Sequence, residues 1–157
     1  MTILNDSQLA ILNGDMQTNP GVTDMVAAED DIGLAEYYNI ATQNEGWITE
    51  YTLGTLFEAI DWQETISRSD AERDMLQFMY SFGYVNMSRL NIRQGMGDIY
   101  SGSDPRTVAQ REALIEAAKR LINRVETLLV EEESQGAYVL GFEGDISYID
   151  AAAARTL

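Results

Sequence analysis

Cysteine and histidine are both missing from this chain of 157 residues, and over its first 67 residues so are lysine and arginine. Without cysteine there is no disulfide and no thiolate nucleophile, and without histidine there is no imidazole base. The two absences together remove the usual transition-metal ligands, so the fold must stand on packing alone. A chain free of cysteine fits the cytosol and equally fits a particle that meets both reducing and oxidising surroundings. No apolar run approaches the roughly 20 residues of a membrane span. The start from Met1 to Asp6 lacks the basic region of a signal peptide, so neither a membrane nor an export route is expected. There is no Gly-Lys-Ser/Thr triplet, and Gly95-Met96-Gly97 stands without the rest of a phosphate-binding loop, reading as a flexible joint.

What is present is acid, unevenly placed. Residues 1–67 carry twelve carboxylates and no base, residues 68–124 nine bases against seven acids, and residues 125–157 one base against seven, for a net charge of −16. Such a chain cannot hold a nucleic-acid backbone by neutralising phosphates, and a middle that differs in sign from its ends favours association with copies of itself. It is not a disordered acidic tail, because 45% of the residues are apolar and fourteen aromatics run from Tyr37 to Tyr148. The length suits one domain, and no repeat or low-complexity linker divides it, so a single domain over 1–157 is expected.

Cap residues and apolar spacing place the elements. Residues 6–18 read as a helix capped by Asn5 or Asp6 and ended at Asn19-Pro20, with further helices after Thr23 and over 31–42. Gly46 to Tyr51 alternates like a strand, and Thr52 caps a helix through Ile60. Asp61 is another cap, and Ser69 with Glu72 has capping-box spacing, opening a helix to about Phe82. Residues 88–100 form a weaker helix, since Gly95 and Gly97 cost it stability. Asp104-Pro105 then starts the clearest element, in which Val108, Leu114, Ala118, Leu121, Val125 and Leu128 recur at spacings near 3.5 and predict one long helix over about 105–130. Ala137 to Leu140 reads as a strand, and Asp145 as the cap of a final turn through Ala154. The predicted fold is mainly α: a helical bundle around that long helix, with a small two-stranded β element pairing residues 47–51 with 138–142.

Catalytic and metal signals are weak. Glu29-Asp30-Asp31 lacks the alternating ligands and turn glycine of a calcium loop and reads as a solvated face. Glu58 with Asp61, and Asp70 with Asp74, have helical spacing that suits paired acid and base work, but 26 acids make such coincidences ordinary. No catalytic residue, cofactor site or metal site is assigned. Lys119, the only lysine, adjoins Arg120, with Arg124 a turn further on. One reading is a surface ladder in which Glu116 pairs with Arg120; the other sets Lys119, Arg120 and Arg124 against Glu29, Asp30 and Asp31 of an adjacent subunit. The dense run from Met75 to Tyr84 is too apolar for one helix face, and reads as core or, in part, as a subunit contact.

Three segments, Leu12 to Pro20 (LNGDMQTNP), Leu56 to Asp61 (LFEAID) and above all Arg111 to Glu126 (REALIEAAKRLINRVE), resemble a group of small structural proteins of tailed bacteriophages found at the head-to-tail junction. The resemblance runs over residues 9–150. It implies a non-enzymatic virion protein, made in the host cytoplasm and mainly helical, forming a homo-oligomeric ring between the portal protein and the tail or neck proteins. DNA would pass such a ring without being specifically bound, which suits a wall of carboxylates. Within the virion a tail terminator or capsid-associated protein is the alternative role. Outside it, the alternative is a soluble acidic inhibitor that mimics DNA, although the nine bases in 68–124 interrupt any continuous acidic stripe.

Overall fold

The computed structural model describes residues 3–157. In chain order the elements are α1 (Asp6–Thr18), α2 (Thr23–Ala27), α3 (Asp31–Tyr38), β1 (Ala41–Trp47), β2 (Tyr51–Thr52), α4 (Leu53–Ala59), α5 (Trp62–Ser67), α6 (Asp70–Met79), β3 (Tyr84–Val85), α7 (Leu90–Ile99), α8 (Pro105–Ala117), β4 (Lys119–Asn123), α9 (Arg124–Leu128), β5 (Val130–Ser134), β6 (Ala137–Leu140) and α10 (Tyr148–Arg155). The architecture is α/β, with a four-stranded sheet in the order β4-β1-β6-β5 and a two-stranded sheet of β2 and β3. This corrects the expected helical bundle. The chain forms two compact units, one of residues 3–45 with 121–157 and one of residues 46–120.

The largest correction concerns the long helix. Helix α8 does start at Pro105 behind the Asp104 cap, but it stops after Ala117, and Ala118 is its C-cap. Residues 119–123 are strand and residues 124–128 a separate short helix. Two local features end the long helix. Ile122 is β-branched and Asn123 is a poor interior helix residue, while Asn123 with Glu126 forms a complete capping box that opens a new helix. The strand neighbours β1: the Thr42 hydroxyl donates to the Ile122 carbonyl at 2.7 Å, and just beyond the strand ends the Arg124 amide donates to the Ile40 carbonyl at 3.1 Å. The apolar spacing survives this interruption, because Leu114, Ala118, Ile122, Val125 and Leu129 are all buried. Leu121, expected inside, is 54% exposed.

The sheet is also larger than expected and lies elsewhere. Strand β1 occupies 41–47, where a helix end had been expected, and Tyr51 pairs with Val85 in the small sheet. Strand β6 does neighbour β1, but β4 and β5 flank them. Strands β5 and β6 form an antiparallel hairpin closed between Ser134 and Ala137. Its two turn residues, Gln135 and Gly136, have φ of 55° and 77°, the positive values of a tight primed turn. Glu131, Glu132 and Glu133, unsuited to a helix C-terminus, are exposed strand residues.

In the first unit, α1, α3 and α10 pack around Leu9, Leu12, Met16, Leu34, Tyr38, Val125 and Ala151. Asp150, buried in that core, ties the chain ends together. One carboxylate oxygen accepts from the amides of Ile3 and Leu4 at 2.7 and 3.1 Å, and the other from the amide and hydroxyl of Ser147 at 3.0 and 2.6 Å. Ser147, not Asp145, is the cap of α10. In the second unit, Trp47, Leu56, Met87, Met96, Ile99, Tyr100 and Leu114 are buried. The buried Arg93 guanidinium lies 4.3 Å from the Trp47 ring centre and donates to the Met87 and Ser88 carbonyls.

Candidate functional site

Three consecutive helices of the second unit wall an apolar trough. Each starts at a side-chain cap visible in the sequence: Thr52 accepts from the Thr55 amide, Asp61 from the Gln63 and Glu64 amides, and Ser69 from the Glu72 amide. The three helices follow one another within 28 residues, from Thr52 to Met79. Leu53, Leu56 and Phe57 of α4 with its C-cap residue Ile60, and Arg73, Leu76 and Gln77 of α6 with its C-cap residue Tyr80, line the trough. Both sets follow the i, i+3, i+4, i+7 spacing of a single helix face. Trp62 and Thr65 of α5 complete the lining, and the cavity holds about 420 Å³.

The trough is apolar and open. The rings of Phe57 and Trp62 lie 5.2 Å apart in a tilted contact, and they are 50% and 52% exposed. Tyr80 lies within the wall, its ring centre 6.4 Å from that of Tyr51. Neither hydroxyl has a hydrogen-bond partner, and burial pushes both phenols up, Tyr51 to about 12. The lone guanidinium in the lining, that of Arg73, is engaged by the Asp70 carboxylate and the Ile66 carbonyl. The Met75 to Tyr84 run is therefore not core throughout: Tyr80 is buried and Leu76 lines the trough, whereas Phe78 and Phe82 are 75% and 86% exposed. Phe57 and Trp62 escaped the sequence reading because each belongs to a short capped helix that looked unexceptional.

The residues singled out for a subunit contact are distributed differently. Asp30 caps α3, accepting from the Gly33 amide at 2.9 Å. Asp31 takes two bonds from the Arg155 guanidinium at 2.8 and 3.3 Å, and Glu29 lies 3.6 Å from the same group. The acidic triplet thus already has a cation within its own chain. Arg124 stacks over Tyr37 with 3.9 Å to the ring centre and donates to the Tyr37 carbonyl. Lys119 and Arg120 lie in β4, beyond the end of α8, so the helical ladder from Glu116 to Arg120 has no helix to run on. Glu116 instead pairs with Lys119 at 3.0 Å.

Arg124 also borders a cavity of about 270 Å³ in the first unit. Its two ionic groups, Asp15 and Arg124, each make bonds within the chain. The Tyr38 hydroxyl donates to Asp15 at 2.6 Å, and the Asn19 amide donates to the same carboxylate. Burial and this carboxylate push the Tyr38 phenol well above its ordinary value, so it supplies no acid or base near neutrality. One member of each carboxylate pair raised by the sequence is likewise engaged: Asp61 takes two bonds from Arg106 at 2.5 and 2.8 Å, and Asp70 binds Arg73. Among the described residues no three carboxylates converge as metal ligands would. No helix among them is long and apolar enough to cross a membrane.

No family model, curated protein or solved structure matches this chain. The trough is accordingly judged on its own chemistry. It offers apolar contact and aromatic edges, two hydroxyls, those of Thr65 and Ser81, and one guanidinium, Arg73, already engaged by Asp70.

Proposed function

We propose that this chain is a non-enzymatic assembly protein of a tailed-bacteriophage particle, a ring-forming adaptor at the head-to-tail junction. The observation that carries the reading is the open trough of α4, α5 and α6, where Phe57 and Trp62 stand half-exposed over an apolar wall with no catalytic group. Monomeric proteins seldom leave aromatic surface so arranged unless another protein covers it. The charge distribution supports the same reading. Carboxylates crowd both ends of the chain, so a passage lined with them would repel DNA phosphates, and the less acidic middle stretch suits contact with the acidic part of a neighbour. The resemblance of Arg111 to Glu126 to head-to-tail proteins supplies the setting, although the mainly helical fold it implied is not the fold of this chain.

The test is made in particles. Mass spectrometry of purified virions is expected to find the chain, and deleting its gene is expected to yield heads that lose DNA or fail to join tails. Normal, infectious particles formed without the chain would overturn the proposal. Intact particles together with capture of a host DNA-binding enzyme would favour a DNA-mimic inhibitor.

A further inference from the structure

We infer that the cavity of the first unit is a binding site for a small zwitterion, a free α-amino acid or a compound that pairs a carboxylate and an ammonium as closely. The site stands apart from the trough, since every residue lining it belongs to residues 3–45 or 121–157.

Most polar groups in the lining are already used. The Thr42 hydroxyl donates to the Ile122 carbonyl at 2.7 Å and the Thr127 hydroxyl to the Asn123 carbonyl at 2.9 Å. The Asn19 side chain donates to Asp15 and accepts from the Gly21 amide. Two charges keep spare capacity. The bonds that Asp15 accepts from Tyr38 and Asn19 both fall on Oδ2, and among the described residues Oδ1 accepts none. Arg124 lies over the Tyr37 ring and spends one terminal nitrogen on the Tyr37 carbonyl at 3.3 Å, leaving Nε and the other terminal nitrogen free. Among the described residues it meets no carboxylate, whereas Arg68, Arg73, Arg106 and Arg155 each have one. Burial is the main cause of the raised Tyr38 phenol; Asp15 adds to it and Arg124 opposes it, so both charges act on one hydroxyl.

Two opposite charges that line one cavity without pairing define the ligand. An apolar molecule would strip water from both and return no bond to either. An anion alone, or a carboxylate of a neighbouring subunit, would satisfy Arg124 and set a second negative charge near Asp15, and a cation alone would do the reverse. A zwitterion answers both at once. Its carboxylate takes charge-assisted bonds from the free guanidinium nitrogens, and its ammonium gives one to Oδ1 of Asp15. The volume of about 270 Å³ falls just under the usual range of drug-sized pockets, which suits a molecule as small as one amino acid, and Leu128 offers its side chain an apolar wall.

The experiment is isothermal titration calorimetry of the full chain against each of the common amino acids. At least one is expected to bind with a Kd of about 1 mM or lower. Its N-acetyl derivative, which lacks the ammonium, and its carboxamide, which lacks the carboxylate, should each bind about tenfold more weakly or worse, a comparison that needs no altered protein. Asp15→Asn and Arg124→Gln, their folding confirmed by circular dichroism, should each weaken the free amino acid by a similar factor, while Arg73→Gln, in the second unit, should leave it unchanged. Absence of binding by every amino acid, blocked forms that bind as well as the free one, binding indifferent to both cavity variants, or acetate that binds as tightly as the amino acid would each overturn the inference. None of those results would alter whether particles need the chain, so the proposed function fails or stands separately.

Discussion

At the scale of single residues, Asp150 joins the two ends of the chain. It is buried, yet its carboxylate accepts from the amides of Ile3, Leu4 and Ser147 and from the Ser147 hydroxyl. Burial alone would raise its pKa. The Ser147 hydroxyl and the three amides outweigh that and hold it below the ordinary carboxylate value. Asp150→Ala leaves several donors unpaired in the core and should cost about 3 kcal/mol, read from the midpoint of urea unfolding. Because the folded pKa lies below the unfolded value of about 3.9, the contribution of this group is complete above that pH and is lost as pH falls through the folded pKa. The stability gap between wild type and Asp150→Asn should therefore be constant from pH 7 to pH 5 and close below about pH 4. A gap that stayed open in acid would show that the bonds to Asp150 do not depend on its charge. The sequence reading passed over Asp150, although its spacing from Ser147 is that of a capping box. Its donors sit about 147 residues away at Ile3 and three residues away at Ser147, and only the first requires the fold.

At the scale of elements, residues 119–123 separate two accounts of the same pattern. In one long helix, Leu121 would point into the core. In the strand, Leu121 is exposed and its neighbour Ile122 is fully buried. Leu121→Lys should thus change stability by no more than about 0.5 kcal/mol, whereas Ile122→Lys should prevent folding, judged by thermal melting followed by circular dichroism. Comparable losses for both would restore the helix. Legibility here followed locality. The caps at Asn5, Thr52, Asp61, Ser69 and Asp104 act through bonds spanning two or three residues, and each appears where the sequence put it. The capping box of Asn123 and Glu126 is equally local, and its spacing was available as the sign that a new helix starts there. It was outweighed by an apolar period that a helix, a strand and a helix together also satisfy.

At the scale of the molecule, the first unit is assembled from both ends of the chain and the second from one uninterrupted stretch. Truncation after Gly136 removes β6 and α10, and with α10 the packing of Ala151 and Ala154 against α1 and α3. The first unit should then lose its structure. Both tryptophans belong to residues 46–120, where Trp47 is buried and flanked by Arg93, so their emission should stay close to that of the full chain while helical circular dichroism falls. An unchanged melting temperature would contradict the placement of α10 in that core.

The sequence by itself determined the helix starts at Asn5, Thr52, Asp61, Ser69 and Asp104, the lack of thiol and imidazole chemistry, and the acid-rich ends, because each depends on composition or on contacts a few residues long. Strand β1 was beyond its reach. Ala41 to Trp47 has no apolar alternation strong enough to announce a strand, and it becomes one through partners such as Ile122, some 80 residues away. The trough is of the same kind. Periodicity shows that Leu53, Leu56, Phe57 and Ile60 share one face of a helix, and that Leu76 and Tyr80 share another, but a shared face is buried or exposed according to what packs on it. Only the tertiary structure leaves that face open.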